Sequence, residues 1–345
     1  MKITKIVMTG LRQVELQESE EELSPNTYEV LVKNDATYIS AGTELSIYTA
    51  LDKGVYTKGA WNAYPHNAGY ANAGTIIAVG KEVNGLKVGD RVFSNLPHRS
   101  HIMLNVNTSF MVRIPDAVTQ EEAAASRMAG VATSALLLTQ PKWHAIAVVF
   151  GLGNVGNLAA QSFKISGYRV IGVDPVAERR KTAKKCGIEY LLEEGTPEAV
   201  LELCGGSLPQ ITIDASGSAP VILKALEVTA NMGQLILLGS PRKEFQTDIA
   251  EFLMAVHCRN ITIQGALEWF LPLKPVKSIF NSEVPQVLSM IEKQQMIFDW
   301  IASGQMKIKP LISHCLSPAE AKKGYDGLLE QSDKFSGVIF DWNAL

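Results

Sequence analysis

A glycine-rich segment in the middle of the chain has the spacing of a phosphate-binding loop. Gly151, Gly153 and Gly156 form a G-x-G-x-x-G pattern directly after the apolar run 145–150 and directly before a helical segment. The first glycine permits a tight turn, the second lets the backbone approach a pyrophosphate, and the third lets the helix pack on the strand. Amides at the helix start, at Asn154 and Val155, would stabilise the phosphate charge. The segment therefore predicts a dinucleotide-binding site.

An acidic residue at the end of the next predicted strand supports this interpretation. Asp174 follows the run 169–173 and lies about 20 residues beyond the glycines, where a carboxylate accepts hydrogen bonds from ribose hydroxyls. A carboxylate there would repel a 2′-phosphate, which favours NAD over NADP. Arg179 and the basic residues after it could contact that phosphate, or they could form the solvated face of a helix. NADP therefore stays possible.

Two further turns have the position of cofactor-lining residues. Ser216 and Gly217 follow the predicted strand 211–215, and Gly239 and Ser240 follow another apolar strand. Ligands of open α/β sheets bind at the carboxyl ends of the strands. We expect both turns to line the cofactor, and the alternative is that they only end their strands.

The elements around these residues indicate two kinds of architecture. From residue 145 to residue 265, apolar strands alternate with helices, which predicts a parallel, doubly wound Rossmann sheet. The first third contains short β runs separated by glycines, which predicts a small closed or half-closed β-barrel. Other predictions are a polar turn over 18–26, a helix capped by Thr119, a surface position for 142–144, a helix over 285–303 and a last strand over 337–342.

Composition and charge narrow the class of partner. The length of 345 residues suits about two domains. The basic residues are scattered in a chain of net charge −3, so neither nucleic acid nor a membrane surface is an expected partner. No apolar run approaches the ~20 residues of a membrane span, and no export signal is visible. The four cysteines form no C-x-x-C pair and are expected to be reduced. We expect a cytoplasmic protein with a small-molecule substrate.

With the glycine loop in mid-chain and a β region before it, the sequence resembles the medium-chain dehydrogenase/reductase superfamily over nearly its whole length. Residues 69–80 and 86–92 are similar to that family's G-H-E-x-x-G-x-V-x-x-V-G and G-D-R-V segments, and residues 310–325 are similar to its closing segment. The resemblance implies an α/β fold that joins the Rossmann sheet to a discontinuous, chaperonin-like β-barrel catalytic domain. The implied boundaries are 1–123 for the barrel, 124–272 for the dinucleotide-binding domain, and 273–345 for a segment that returns to the catalytic domain.

The same resemblance implies that the family's zinc is missing. Zinc-dependent members bind the catalytic ion with two cysteines and a histidine, and the matching positions here hold Ala41, Tyr70 and Ala129. The four cysteines of the family's structural zinc lobe are absent from the region after Val92. We therefore expect no metal. The chain looks closest to a zinc-free branch that includes bacteriochlorophyllide dehydrogenase-like proteins.

Hydroxyl groups are the remaining candidates for proton transfer. Thr43 matches the family's relay hydroxyl, and Tyr70 should point toward the place where metal and substrate oxygen would meet, unless its phenol only fills the vacated space. His98, in a loop that lines the family's substrate cleft, is the polar candidate beside them. The remaining expectations are that Glu44 pairs with a base, that Ser46 occupies a relay position, that His101 is structural, and that Thr133 lies beside the nicotinamide. A metal site of His66, His98 and His101 is an alternative, although no carboxylate or cysteine at suitable spacing completes it.

Three functions are compatible with these residues. The first is a zinc-independent, NAD-dependent enzyme that interconverts an alcohol and a carbonyl on a hydroxylated small molecule. The second is an enone or quinone reductase, and the third is a dinucleotide-binding protein without turnover. The resemblance also implies a homodimer that pairs through an edge strand at 261–265.

Overall fold

The computed structural model describes residues 1–140, 145–276 and 288–345. It contains two compact units, of which the first comprises Met1–Arg127, Leu271–Gly304 and Leu311–Leu345. The second comprises Met128–Phe270 and Gln305–Pro310. The predicted surface segment 142–144 and the first residues of the helix predicted from 285 lie outside the described residues.

The strands of the first third of the chain pair antiparallel, and those of the middle part pair parallel. In chain order they are β1 (Lys2–Gly10), β2 (Gln13–Glu20), β3 (Glu29–Tyr38), β4 (His66–Asn67), β5 (Asn72–Val79), β6 (Arg91–Ser94), β7 (His101–Asn105), β8 (Met111–Arg113), β9 (Ile146–Phe150), β10 (Arg169–Val173), β11 (Tyr190–Leu192), β12 (Ile211–Asp214), β13 (Gln234–Leu237), β14 (Thr262–Gly265), β15 (His314–Leu316) and β16 (Val338–Asp341). The predicted strands therefore form, several of them with shifted ends.

The helices cluster in the middle and last parts of the chain. They are α1 (Ala41–Tyr48), α2 (Gln120–Ala125), α3 (Arg127–Leu137), α4 (Asn154–Ile165), α5 (Ala177–Lys185), α6 (Pro197–Leu203), α7 (Ala219–Glu227), α8 (Ile249–Arg259), α9 (Met290–Ala302) and α10 (Ala321–Glu330). The predicted Thr119 cap is confirmed, because its side chain accepts from the Glu122 amide in a complete capping box.

The first unit is built on two sheets. One has the order β15-β16-β3-β5-β6-β8, with β7 also paired to β3, and the other has the order β2-β1-β4. One apolar core cluster of this unit contains residues from the beginning and the end of the chain, among them Ile6, Ile47, Tyr325 and Phe340. The tail of the chain is therefore part of this unit's core.

One sequence-based prediction in this unit is wrong, and one helix was not predicted. The acidic residues from Glu18 to Glu20 were expected in a turn, but they end β2, an edge strand antiparallel to β1. Their side chains tolerate this position because an edge strand leaves charged groups in water, and Glu18 pairs with Lys2 at 2.9 Å. Helix α1 was not predicted, because its residues show little helical periodicity and its stability depends on burial of Ile47 and Tyr48.

The second unit is the predicted Rossmann sheet. Its strand order is β11-β10-β9-β12-β13-β14, and every pairing is parallel. The strands carry near-continuous apolar runs because both faces of a doubly wound sheet are covered by helices. The glycine loop follows β9 at the point where the order reverses, which is where such sheets bind ligands.

The last feature of the fold is the length and apolarity of its helices. Among residues 1–140, 145–276 and 288–345, none is both long enough and apolar enough to cross a membrane.

Candidate functional site

The glycine loop has the geometry that its three glycines predict. Gly151 adopts a φ of +90°, and a Cβ on it would lie 3.1 Å from the Ser216 nitrogen. A Cβ on Gly156 would lie 1.8 Å from the Gly151 carbonyl oxygen, so no larger residue fits without a backbone shift. A Cβ on Gly153, the N-cap of α4, would meet nothing within 4 Å. The chain therefore requires the first and third glycines, and the second faces open space where α4 begins at Asn154 and Val155.

Asp174 lies against this loop. Its Oδ2 accepts a hydrogen bond from the Leu152 amide at 2.7 Å, and its Oδ1 accepts from the Val176 amide at 2.8 Å. The residue is 1% exposed. Arg179 brings Nη1 to 3.6 Å from Oδ2, and Arg180 donates to the Asp174 backbone carbonyl at 2.7 Å. The carboxylate expected to bind a ribose therefore also orders the loop that would bind the pyrophosphate, with cationic groups beside it.

The two predicted cofactor-lining turns meet each other. Gly217 has a φ of +64°, and a Cβ on Gly239 would lie 2.2 Å from the Gly217 nitrogen. A Cβ on Gly217 would lie 2.7 Å from the Ser240 carbonyl oxygen. The close approach of Ser216 to Gly151 completes the group. Five residues predicted to bind the cofactor therefore lie close together where β9, β12 and β13 end: Gly151, Ser216, Gly217, Gly239 and Ser240.

Sequence reasoning missed the residue that organises these turns. Asp214, at the buried end of β12, accepts hydrogen bonds from the Ser216 amide at 3.0 Å, the Ser216 hydroxyl at 2.5 Å and the Gly217 amide at 3.1 Å. Burial raises the pKa of the Asp214 carboxyl, and these donors partly oppose the shift. The available signal was an acidic residue at a strand end, two residues before Ser216.

Thr133 lies inside the second unit. It belongs to α3, is fully buried, and places its Oγ1 3.0 Å from the Ser162 hydroxyl on α4. This hydroxyl pair ties α3 to the helix that starts at the glycine loop. The structure gives Thr133 no exposed surface.

A cluster of hydroxyl groups forms around Tyr70 in the first unit. The Tyr70 phenol oxygen lies 2.5 Å from the Ser40 Oγ and donates to the Thr43 Oγ1 at 3.3 Å. The guanidinium carbon of Arg127 lies 5.1 Å from the centroid of the Tyr70 ring. The structure therefore brings the predicted pair Tyr70 and Thr43 together. It adds Ser40 and Arg127, which the sequence analysis did not identify.

His98 belongs to a different, fully buried network. Its Nε2 lies 3.1 Å from the Glu44 Oε2, which also accepts from the Tyr325 phenol at 2.5 Å. The other Glu44 oxygen accepts from the Ser40 amide at 2.7 Å. Burial, and after it the charge of Glu44, raises the pKa of Tyr325 well above its usual range. Glu44 thus pairs with a base, His98, as expected. His98 was expected in a loop that lines a substrate cleft, but its side chain is 0% exposed.

The other polar candidates have local partners. Ser46 donates its hydroxyl to the Thr43 carbonyl at 2.7 Å. His101 begins β7, and its Nδ1 lies 3.0 Å from the Ser100 hydroxyl. The rings of His66 and Trp61 pack in a T-shaped arrangement, with centroids 6.1 Å apart, and burial lowers the pKa of His66.

The side chains at the family's zinc positions do not fit the metal. Ala41 begins α1 and Ala129 is buried in α3, so neither supplies a donor atom. Tyr70 offers a phenol, whereas zinc prefers thiolate, imidazole or carboxylate. Within the described ranges, no group of three or more His, Cys, Asp or Glu side chains is arranged to hold a metal ion, which excludes the three-histidine alternative.

Comparison with protein families divides the chain into two parts. Residues 26–148 match the alcohol dehydrogenase GroES-like domain. Residues 154–291 match the family described as zinc-binding dehydrogenase. The two matches follow each other along the chain, the first over most of the β region and the second over the Rossmann sheet after β9.

Individual proteins are similar to this chain over most of its length. The chain is 23% identical to a D-xylulose reductase of Saccharomyces cerevisiae over 335 residues, which cover 86% of each chain. Its fold is shared by galactitol-1-phosphate dehydrogenase of Escherichia coli, with a TM-score of 0.79, 17% identity and coverage of 98% of this chain and 99% of that one. An alcohol dehydrogenase of E. coli CFT073 complexed with NADH gives a TM-score of 0.76, with 19% identity and 99% of each chain covered. With its GroES-like region followed by a parallel Rossmann sheet, the chain belongs to the alcohol dehydrogenase type of the medium-chain dehydrogenase family.

Proposed function

We propose that the protein is a zinc-independent, NAD(P)-dependent oxidoreductase that interconverts an alcohol and a carbonyl on a hydroxylated small molecule. The observation that carries the proposal is the phenol of Tyr70, held between the Ser40 and Thr43 hydroxyls at the position where zinc-dependent members have a zinc-binding histidine. The homologous D-xylulose reductase supports a polyol or sugar-like substrate. The branch that includes bacteriochlorophyllide dehydrogenase-like proteins remains our assignment within the family.

The second unit would bind the cofactor through its backbone. The open face of Gly153 leaves room for a pyrophosphate, and the α4 N-terminus supplies backbone amides and a favourable dipole. Asp174 would accept from the ribose hydroxyls, which favours NAD, while Arg179 keeps NADP possible. A bound nicotinamide supplies the hydride acceptor in alcohol oxidation and the hydride donor in carbonyl reduction. The NADH complex of a structural neighbour supports this assignment.

Tyr70 would exchange the proton. In alcohol oxidation, the substrate's O–H bond breaks and its proton moves to the ionised Tyr70 oxygen. The carbon that bears this oxygen loses its hydride, for which a bound nicotinamide would be the acceptor. In carbonyl reduction, the Tyr70 phenol returns this proton to the new alkoxide oxygen. Thr43 keeps the phenol oxygen oriented. We assign His98 to the support of Glu44 rather than to proton transfer, because its ring is completely buried.

The replacement Tyr70→Phe tests this role. With NAD and NADH supplied in turn, a panel of polyols, secondary alcohols, aldehydes and ketones is screened with the unmodified protein. Loss of the phenol should then lower turnover at least tenfold, since general acid–base catalysis contributes roughly 10²-fold or more. An enone or quinone reductase, which attacks carbon, would tolerate the change. NADH binding without turnover on alcohols, carbonyls, enones or quinones would favour the third function.

Zinc independence has its own test. Elemental analysis of the purified protein should find zinc well below one ion per chain, and prolonged dialysis against a chelator should leave turnover unchanged. Stoichiometric zinc together with loss of activity on chelation would overturn this part of the proposal, whatever the substrate.

We also propose that the first unit is the catalytic domain, that the second is the dinucleotide-binding domain, and that the protein is a homodimer. Strand β14 lies at the edge of the Rossmann sheet, which leaves backbone groups open for pairing with a second copy. The neighbouring α8 exposes Ile249, Leu253 and Met254 at 60%, 56% and 61%. Light scattering that gave the mass of one chain would contradict the dimer.

We place this activity in the cytoplasm. All four cysteines are free thiols, and Cys258 and Cys315 are exposed, which suits a reducing compartment. Cell fractionation that recovers the full-length chain outside the cytoplasm would contradict this location.

A further inference from the structure

Ser40 occupies a helix-capping position without capping the helix. It is the N-cap residue of α1, where a serine side chain normally accepts a hydrogen bond from an amide of the first turn. No such bond is present at Ser40. Its hydroxyl instead lies 2.5 Å from the Tyr70 phenol oxygen, and the residue is 3% exposed. The side chain that would ordinarily cap the helix is therefore hydrogen-bonded to the Tyr70 phenol.

The backbone of Ser40 is fixed from several sides. Its amide donates to the Glu44 carboxylate at 2.7 Å, and its carbonyl accepts from the Glu44 amide at 2.9 Å. Glu44 is held in turn by His98 and Tyr325, both completely buried. The Ser40 hydroxyl is therefore presented to Tyr70 by a rigid, preorganised support.

The two hydroxyls beside Tyr70 are not equivalent. The Ser40 Oγ is 2.5 Å from the phenol oxygen, whereas the Thr43 Oγ1 is 3.3 Å away. Hydrogen bonds to an ionised oxygen are shorter and stronger than those between neutral groups. If Tyr70 ionises, the hydroxyl already at the shorter distance donates the stronger bond.

We propose that Ser40 is a positioning residue for Tyr70, whose hydroxyl donates to the phenol oxygen and stabilises its ionised form. The inference rests on the proposed function only in that Tyr70 is the group that exchanges the proton with substrate. The contact itself exists in the chain without any substrate, so it can be tested separately.

The first experiment needs no substrate. Tetranitromethane nitrates ionised phenols, so peptide mass spectrometry after brief treatment at pH 8 reports the reactivity of each tyrosine. In Ser40→Ala, nitration of Tyr70 should fall about tenfold relative to nitration of Tyr28, an internal reference that is 47% exposed. Ser40→Thr, which keeps a hydroxyl, should restore it. Unchanged or faster nitration of Tyr70 in Ser40→Ala would overturn the proposal.

A matched control separates positioning from stability. Thr49 lies at the other end of α1 and donates its hydroxyl to the Leu45 carbonyl at 2.7 Å. Thr49→Val removes a hydroxyl from the same helix and should leave nitration of Tyr70 unchanged. Ser40→Ala should unfold within a few degrees of the unmodified protein, because no capping bond is lost. A marked fall in melting temperature with unchanged nitration would make Ser40 merely structural.

The second experiment uses turnover. With a substrate from the screen, Ser40→Ala should lower kcat for alcohol oxidation about tenfold at neutral pH, and its activity should rise at higher pH than that of the unmodified protein. Ser40→Thr should recover both. An unchanged pH profile would contradict the inference. If no substrate is turned over, the proposed function fails, and the nitration result still decides the role of Ser40.

Discussion

The Asp174 carboxylate accepts a hydrogen bond from the Leu152 amide, with Oδ2 and the nitrogen 2.7 Å apart. One side chain therefore connects the end of β10 to the loop that follows β9. The contact joins the two functions that the sequence assigns to these segments, selection of the ribose and binding of the pyrophosphate. A change at Asp174 should consequently affect both.

Asp174→Ala is expected to weaken NADH binding at least tenfold, because the ribose loses an acceptor and the loop loses a support. It should also reduce discrimination against NADPH, since the repulsion of a 2′-phosphate disappears while Arg179 remains. Titration calorimetry with NADH and NADPH measures both affinities. Equal loss for the two cofactors would mean that the carboxylate only supports the loop.

The glycines provide a matched pair of variants. Gly156→Ala should destabilise the protein by about 1–3 kcal/mol, because the new Cβ would lie 1.8 Å from the Gly151 carbonyl oxygen. Gly153→Ala meets no atom within 4 Å and should change stability little. It should nevertheless weaken NADH binding if the pyrophosphate approaches this face. Urea denaturation and calorimetry together distinguish these effects, and normal NADH affinity in Gly153→Ala would argue against a pyrophosphate there.

The Rossmann unit was largely predictable from sequence because its information is local. Apolar runs alternate with helical segments, and β10 has the predicted ends, residues 169 and 173. Helix α1 was missed because Glu44, which stabilises its start, depends on partners 54 and 281 residues away in the chain. The pair Tyr70 and Thr43 was anticipated through the family resemblance, but Ser40 was not. The hydrophobic periodicity of a sequence does not show that the hydroxyl of an N-cap serine contacts a distant side chain instead of capping its helix.

Asp214 should give the protein a distinctive pH dependence. Because burial raises its pKa, the folded protein holds this proton to higher pH than the unfolded chain does. Its contribution to stability is complete below the ordinary aspartate range and is lost as pH rises through the raised value. In Asp214→Asn this loss should disappear. Urea denaturation of both proteins between pH 4 and pH 8 measures it, and a constant difference across that range would contradict the expectation.

Tyr325→Phe should destabilise the first unit by about 1.5–3 kcal/mol at neutral pH. The buried Glu44 Oε2 loses the phenol donor and retains His98 as a partner. Urea denaturation measures the loss, and Tyr28→Phe, at an exposed tyrosine, is the control. Equal stability of the two variants would mean that the phenol contributes nothing to the Glu44 network.

The bond from Tyr325 to Glu44 has a consequence for synthesis of the chain. The tyrosine belongs to the last helix, so a nascent chain still attached to the ribosome has made Glu44 long before this partner emerges. Until Tyr325 has emerged, the Glu44 carboxylate lacks its phenol donor and Ser40 lacks part of its support. The hydrogen-bond network around Glu44 is therefore completed late in synthesis, and a chain truncated before Tyr325 would lack it.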